Sequence, residues 1–138
     1  MLSTEELGRY VYSEIQARLG DVFCSNLFFA EGSANSVEGT YIFSKNNEYH
    51  ILFVEKGRIR SDIVTNIERE VLWNALEILS FNITMDFAMQ NRENGKDFRR
   101  TLFAKEKEIF SLFGKDFEMR KNAEIEDILY KNPYKDSF

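Results

Sequence analysis

The chain has one cysteine, one histidine and one proline in 138 residues. A lone Cys24 excludes an internal disulfide. Together with His50 it also falls short of the roughly four Cys or His ligands that structural zinc takes. Cys24 and His50 could pair as nucleophile and base, but no third group and no glycine-rich nucleophile turn stands ready to orient them. Phosphate-cradling glycine motifs are absent as well. No long apolar run is present. The most apolar window, Val71 to Met89, is interrupted by Asn74, Glu77, Asn82 and Asp86, which suits a buried helix and not a membrane span. The start, MLSTEELGRYVYSEI, has early acids and lacks a basic segment leading into an apolar one, so a cytoplasmic location is expected. Excess positive charge is missing too: the net charge is −5. Phosphate backbones are bound by clustered Lys and Arg, so nucleic acid is disfavoured as a partner.

Apolar and aromatic residues are what the chain has in quantity. They make up 43% and 14% of it, with 13 Phe. That composition lies far from the signature of disorder and is enough for a single domain, residues 1–138, burying roughly two thirds of its unfolded surface. The acids are unevenly spread. Residues 1–95 carry a net charge of −6 and residues 96–138 a net charge of +1. Between residues 20 and 55, Asp21, Glu31, Glu38, Glu48 and Glu55 face only Lys45. This imbalance reads either as an ordinary solubilising surface or as a patch for a cationic protein.

Ser3 and Glu6 form a capping-box pattern, and Leu7, Val11 and Ile15 mark one face of a helix over 4–19 that ends at Gly20. Val22 to Ala30 is apolar and aromatic and reads as a strand. Three more strand signals follow, Thr40 to Ser44, Tyr49 to Glu55 and Arg58 to Val64, joined by Asn46-Asn47 and Lys56-Gly57. They predict an antiparallel meander. Its middle strand is apolar on both faces, while Arg58, Arg60 and Asp62 give the last strand one wet side. Thr65 and Glu68 suggest a second capping box, opening a long helix that Asn94-Gly95 closes. Its polar stripe moves from Glu70, Asn74 and Glu77 to Asn82, Asp86 and Glu93, so the face rotates near Ser80. A last helix, capped by Asp116 and containing Met119, Ala123, Ile125, Ile128 and Leu129, stops at Asn132-Pro133. The expected fold is α+β: an N-terminal helix, an antiparallel β-meander of about four strands, then three C-terminal helices packed on the sheet.

The most distinctive stretch is KDFRRTLFAKEKEIFSLFG, from Lys96 to Gly114. Asp97 is a good N-cap, and Phe98, Leu102, Ile109 and Phe113 repeat at helical spacing with Phe103 and Phe110 beside them. Arginines in a first helical turn oppose the helix dipole, so Arg99 or Arg100 needs an acidic partner, with Asp86 or Glu93 the first candidates. The run Asp97-Phe98-Arg99-Arg100, then Leu102-Phe103-Ala104-Lys105, a following helix ending in Ile128-Leu129, and Asn132-Pro133-Tyr134 together resemble the C-terminal signature of the immunity protein 63 family. That resemblance implies a small cytoplasmic bacterial α+β domain encoded beside a secreted polymorphic toxin, which it binds and blocks. It brings no catalytic motif and no cofactor.

Carboxylate pairs on the long helix do not supply chemistry. Glu77 and Asp86 lie on opposite sides of a continuous helix, and Glu70 and Glu77 share a face with Arg69 and Asn74. Lys105 to Glu108 alternates charge as a solvated face does. The functional expectation is therefore binding and not turnover: an antitoxin meeting a basic toxin domain, such as a nuclease, as a monomer or weak dimer. The candidate contact residues are Glu31, Glu38, Glu48, Glu55 and Asp62, with Tyr41 and Tyr49 as aromatic anchors. An acidic secretion chaperone, a homodimer holding an extended effector segment, is the alternative.

Overall fold

A computed structural model describes residues 1–137. The element order is α1 (Thr4–Leu19), β1 (Leu27–Phe28), β2 (Gly39–Lys45), β3 (Glu48–Glu55), β4 (Arg58–Thr65), α2 (Glu68–Gln90), α3 (Phe98–Ser111) and α4 (Lys115–Lys131). The fold is α+β, with one helix, a four-stranded sheet in the order β1-β2-β3-β4, and three helices. Two compact units divide it, Met1–Leu79 and Ser80–Phe138.

In the first unit, α1 starts where its capping box puts it: the Ser3 hydroxyl accepts from the Glu6 N–H, and the Glu6 carboxylate accepts from the Ser3 N–H. Leu7, Val11 and Ile15 form its buried face. The two hairpins are as short as their sequences demand. Asn46 and Asn47 have φ of 54° and 61°, and Lys56 and Gly57 have 51° and 72°. Two consecutive positive φ values give the turn twist that matches paired strands. β3 therefore lies between β2 and β4, antiparallel to both.

The sheet departs from an all-antiparallel meander at β1, which pairs parallel to β2 through Leu27 and Phe28 alone. The apolar run Val22 to Ala30 is not a full strand because its aromatics serve different neighbours. The Phe28 ring stacks on Tyr41 at 4.9 Å, Phe29 packs edge-on against Tyr12 at 5.5 Å, and Phe23 is exposed. The chain then loops over the second face of the sheet. There Tyr41, Phe43, Leu52 and Val54 form a buried cluster with Phe28 against it. An ideal Cβ at Gly32 would lie 2.5 Å from the Tyr41 ring, so only glycine lets the loop come this close. On the opposite face Ile42, Tyr49 and Ile51 are buried, and the Ser44 N–H donates to the Thr4 hydroxyl of α1 at 2.9 Å.

β4 differs from its expected form in two ways. It is exposed along both faces up to Val64, and a bulge opposite Phe53 and Val54 leaves Arg60 as the extra residue. The bulge breaks the Arg58, Arg60, Asp62 alternation. Thr65 ends β4 instead of capping α2, and its hydroxyl accepts from the Ile67 N–H. The rotation of α2's polar stripe near Ser80 coincides with the division between the units. Val71, Leu72, Trp73, Ala75, Leu76 and Leu79 are buried in its first half, whereas its second half buries the narrow line Ser80, Thr84 and Ala88.

In the second unit α3 packs on α4. Phe103, Ile109, Phe110 and Phe113 are buried with Phe117 and Ile125. The buried line of α4 is Phe117, Lys121 and Ile125, while Met119 points to solvent. Gly114, not Asp116, is the N-cap of α4, and no side chain caps it. Lys121 is buried with its ammonium 4.3 Å from the Phe110 ring centre and 3.1 Å from Glu124.

Neither Asp86 nor Glu93 partners the arginines of α3. The C-terminal tail turns back and does so. Asp97 caps α3 through the Arg99 N–H, receives the Arg99 guanidinium, and accepts the Lys135 N–H. Asp136 accepts the Asp97 N–H and both ends of the Arg100 guanidinium. Arg99 also donates to the carbonyls of Asn132 and Pro133, and Arg100 lies 4.2 Å from the Tyr134 ring centre. These bonds to charged partners hold the carboxyls of Asp97 and Asp136 below the usual range: Arg99 chiefly for the first, Arg100 chiefly for the second. The mutual clasp cancels the unfavourable first-turn charge.

Two outcomes are expected. Gly32→Ala forces the loop or the Tyr41 ring to move and lowers unfolding stability by ~1–3 kcal/mol in urea titrations, and an unchanged midpoint would contradict the packing described. Because the folded pKa values of Asp97 and Asp136 lie below their unfolded ones, the clasp contributes stability above about pH 4 and loses it as pH falls further. Thermal midpoints measured from pH 5 down to about 2 should fall less steeply in Asp136→Asn than in the parent chain.

Candidate partner-binding surface

The two tight hairpins place Glu48 and Glu55 at opposite ends of β3, and the loop between β1 and β2 brings Glu31 and Glu38 to the same two ends. At the β2–β3 turn, Glu48 is exposed and Glu31 pairs with Lys45. At the other end, Glu55 stands 3.5 Å from the Arg60 guanidinium, and the Glu38 carboxylate accepts the Lys56 N–H at 3.3 Å. The Asn35 N–H donates to the Gly57 carbonyl, which ties the loop carrying Glu38 to the β3–β4 turn. At about 3.3 Å per residue, Glu48 and Glu55 are separated by ~23 Å, too far to act as one cluster.

Between them, Asp62 of β4 faces His50 of β3. The Nδ1 of His50 lies 3.1 Å from both Asp62 carboxylate oxygens, and its Nε2 lies 3.6 Å from Glu48. The imidazole stacks on Phe43 at 4.9 Å, nearly parallel. Cys24 is engaged elsewhere, its thiol 2.6 Å from the Asn26 side-chain oxygen, so the two residues do not form a nucleophile pair. Among the described residues, no group of three or more His, Cys, Asp or Glu is arranged to hold a metal ion.

Tyr41 and Tyr49 are corrected from surface anchors to core residues. The ring of Tyr41 belongs to the cluster on the second face, and its hydroxyl donates to the Val37 carbonyl at 2.6 Å. Tyr49 is fully buried, with its hydroxyl accepting the Leu2 N–H at 2.9 Å. Burial pushes the ionisation of that hydroxyl up, and Glu68 beside it adds to the effect. Alternation along β2 and β3 placed these rings on a face but could not say that the face was covered.

Charge was also partly misplaced by reading along the chain. A count from residue 20 to 55 stops just before Lys56, Arg58 and Arg60, which the hairpin brings beside Glu55 and Glu38. The acidic end of the sheet is therefore the β2–β3 turn side, with Glu31 and Glu48 against Lys45, while Asp62 lies mid-sheet beside His50. The β3–β4 turn side is basic. Extending the count through the second hairpin would have revealed this.

From Lys45 at the end of β2 to Asp127 near the end of α4, residues 45–127 match the family described as Immunity protein 63. The chain belongs to that family. No curated protein and no solved structure matches it. The matched segment includes β3, β4, α2 and the Asp97-Phe98-Arg99-Arg100 opening of α3, and it ends before Asn132-Pro133-Tyr134. For an immunity protein the relevant ligand is a toxin protein.

Tyr41→Ala and Tyr49→Ala should each cost about 3 kcal/mol or more in unfolding free energy. Glu48→Lys should stay within about 0.5 kcal/mol of the parent. Equal losses in urea denaturation would mean that Glu48 has a structural role.

Proposed function

We propose that this immunity protein neutralises a cognate secreted toxin domain by binding it stoichiometrically and covering its active site or substrate entrance. Membership of the immunity protein 63 family carries this reading. The physical support is a sheet with carboxylates about it: exposed Glu48 and half-buried Glu55 at the ends of β3, Glu31 and Glu38 on the loop before β2, and Asp62 on β4. Tight I′-like turns hold Glu48 and Glu55, while contacts to Lys45 and the Lys56 N–H hold Glu31 and Glu38, which lowers the ordering cost of association.

A toxin with a basic cleft, as nucleases have, would be drawn to such carboxylates, which would take the places of displaced phosphates. Electrostatic steering raises the association rate chiefly at low salt. The chain acts in this reading as one cytoplasmic domain, without a cofactor and without turnover.

The test is co-expression with the C-terminal domain of a large secreted protein encoded next to this chain. Cells should survive only when the chain is present, and the two proteins should co-purify at one-to-one stoichiometry. Reversal of Glu38, Glu48 and Glu55 together should abolish protection while the far-UV spectrum and thermal midpoint stay near those of the parent. Full protection by that folded variant would move the contact surface elsewhere. Failure to protect combined with capture of an unfolded effector segment would favour the secretion-chaperone reading.

A further inference from the structure

We propose that β4 is also an interface between two copies of this chain, paired antiparallel along their free edges. β4 is the outermost strand of the sheet, and among the described residues no strand pairs with its far side. A row of its backbone donors and acceptors is thus open to another strand. Its length of eight residues is ample for such a ladder. Ile59, Ile63 and Val64 are exposed by 48%, 43% and 47%, so β-branched apolar side chains lie along both halves.

Arg58, Arg60 and the bulge at Arg60 are the usual devices that stop an edge from pairing indiscriminately. Their distribution makes the edge selective. The cations Lys56, Arg58 and Arg60 occupy the turn end of β4, whereas Asp62 lies further along, with Glu48 beside it on β3. A parallel copy would set like charges together. An antiparallel copy brings Arg58 and Arg60 of each chain alongside Asp62 of the other, and two-fold symmetry repeats the match. An extended basic segment of another protein would meet Arg58 and Arg60, and an acidic one would meet Asp62 and Glu48. The second copy is the occupant that satisfies both halves.

A single strand ladder buries less than the roughly 1,200–2,000 Å² of a stable complex, so the dimer is weak and concentration-dependent. Its ladder leaves Glu31, Glu38 and Glu48 outside the paired edge and shares only Asp62 with the proposed toxin surface, so self-association is read on the isolated chain, without toxin.

Sedimentation equilibrium of the isolated chain over a concentration series tests the proposal. The parent should shift from one to two copies as concentration rises, and added salt should weaken the dimer. Asp62→Arg should raise the dissociation constant about tenfold or more, and so should Arg58→Glu with Arg60→Glu. The three substitutions together restore complementarity and should return the constant to within about threefold of the parent. A chain that stays monomeric throughout overturns the proposal, as does a dimer indifferent to salt and to either reversal. A well-folded triple variant that fails to regain affinity overturns it as well.

Discussion

The sheet unit depends on β3 being closed in on both faces. Its alternate side chains point to opposite sides of the sheet, and Tyr49 and Ile51 on one side are as buried as Leu52 and Val54 on the other. A strand of that kind cannot be stable at a sheet edge or beneath a single layer. Two short turns supply its neighbouring strands, and Ser44 bonded to Thr4 ties α1 to one face. The other face is covered by chain with almost no regular structure, the segment after β1 in which Gly32 lies against Tyr41 and Val37 takes the Tyr41 hydroxyl. A loop seals half of the core.

That closure places the polar groups. With both faces of β3 occupied, its charged residues Glu48 and Glu55 remain at the ends, with Lys45 at one turn, Lys56, Arg58 and Arg60 at the other and Asp62 between. One end becomes acidic and the other basic although the chain as a whole is negative. β4 is the outermost strand, and among the described residues no strand pairs with its far side, so it offers surface on both faces.

The second unit solves a different problem. α3 begins with two arginines where the helix dipole disfavours cations, and the tail answers with Asp136, its carbonyls and Tyr134. Asp97 serves helix capping and tail docking at once. The segment whose wording resembles the family in sequence is thus occupied with holding its own helices together.

Local chemistry was readable from the residues themselves. Ser3 with Glu6, Asn46-Asn47, Lys56-Gly57 and the Asp97 cap each specify a turn or helix end through bonds spanning a few residues, so α1, the hairpins and the start of α3 follow directly from them. The α+β class and the family pattern follow likewise, and the exposed carboxylates could be named as candidates. Tertiary structure alone decided which aromatics were covered, why β1 shrank to two residues, that Asp136 and not Asp86 or Glu93 serves Arg100, and where the cations sit relative to Glu38 and Glu55. In each of these cases the deciding neighbour lies far along the chain, or the result depends on which of two chemically possible faces is buried. Periodicity reports that a face is apolar; only packing determines what lies against it.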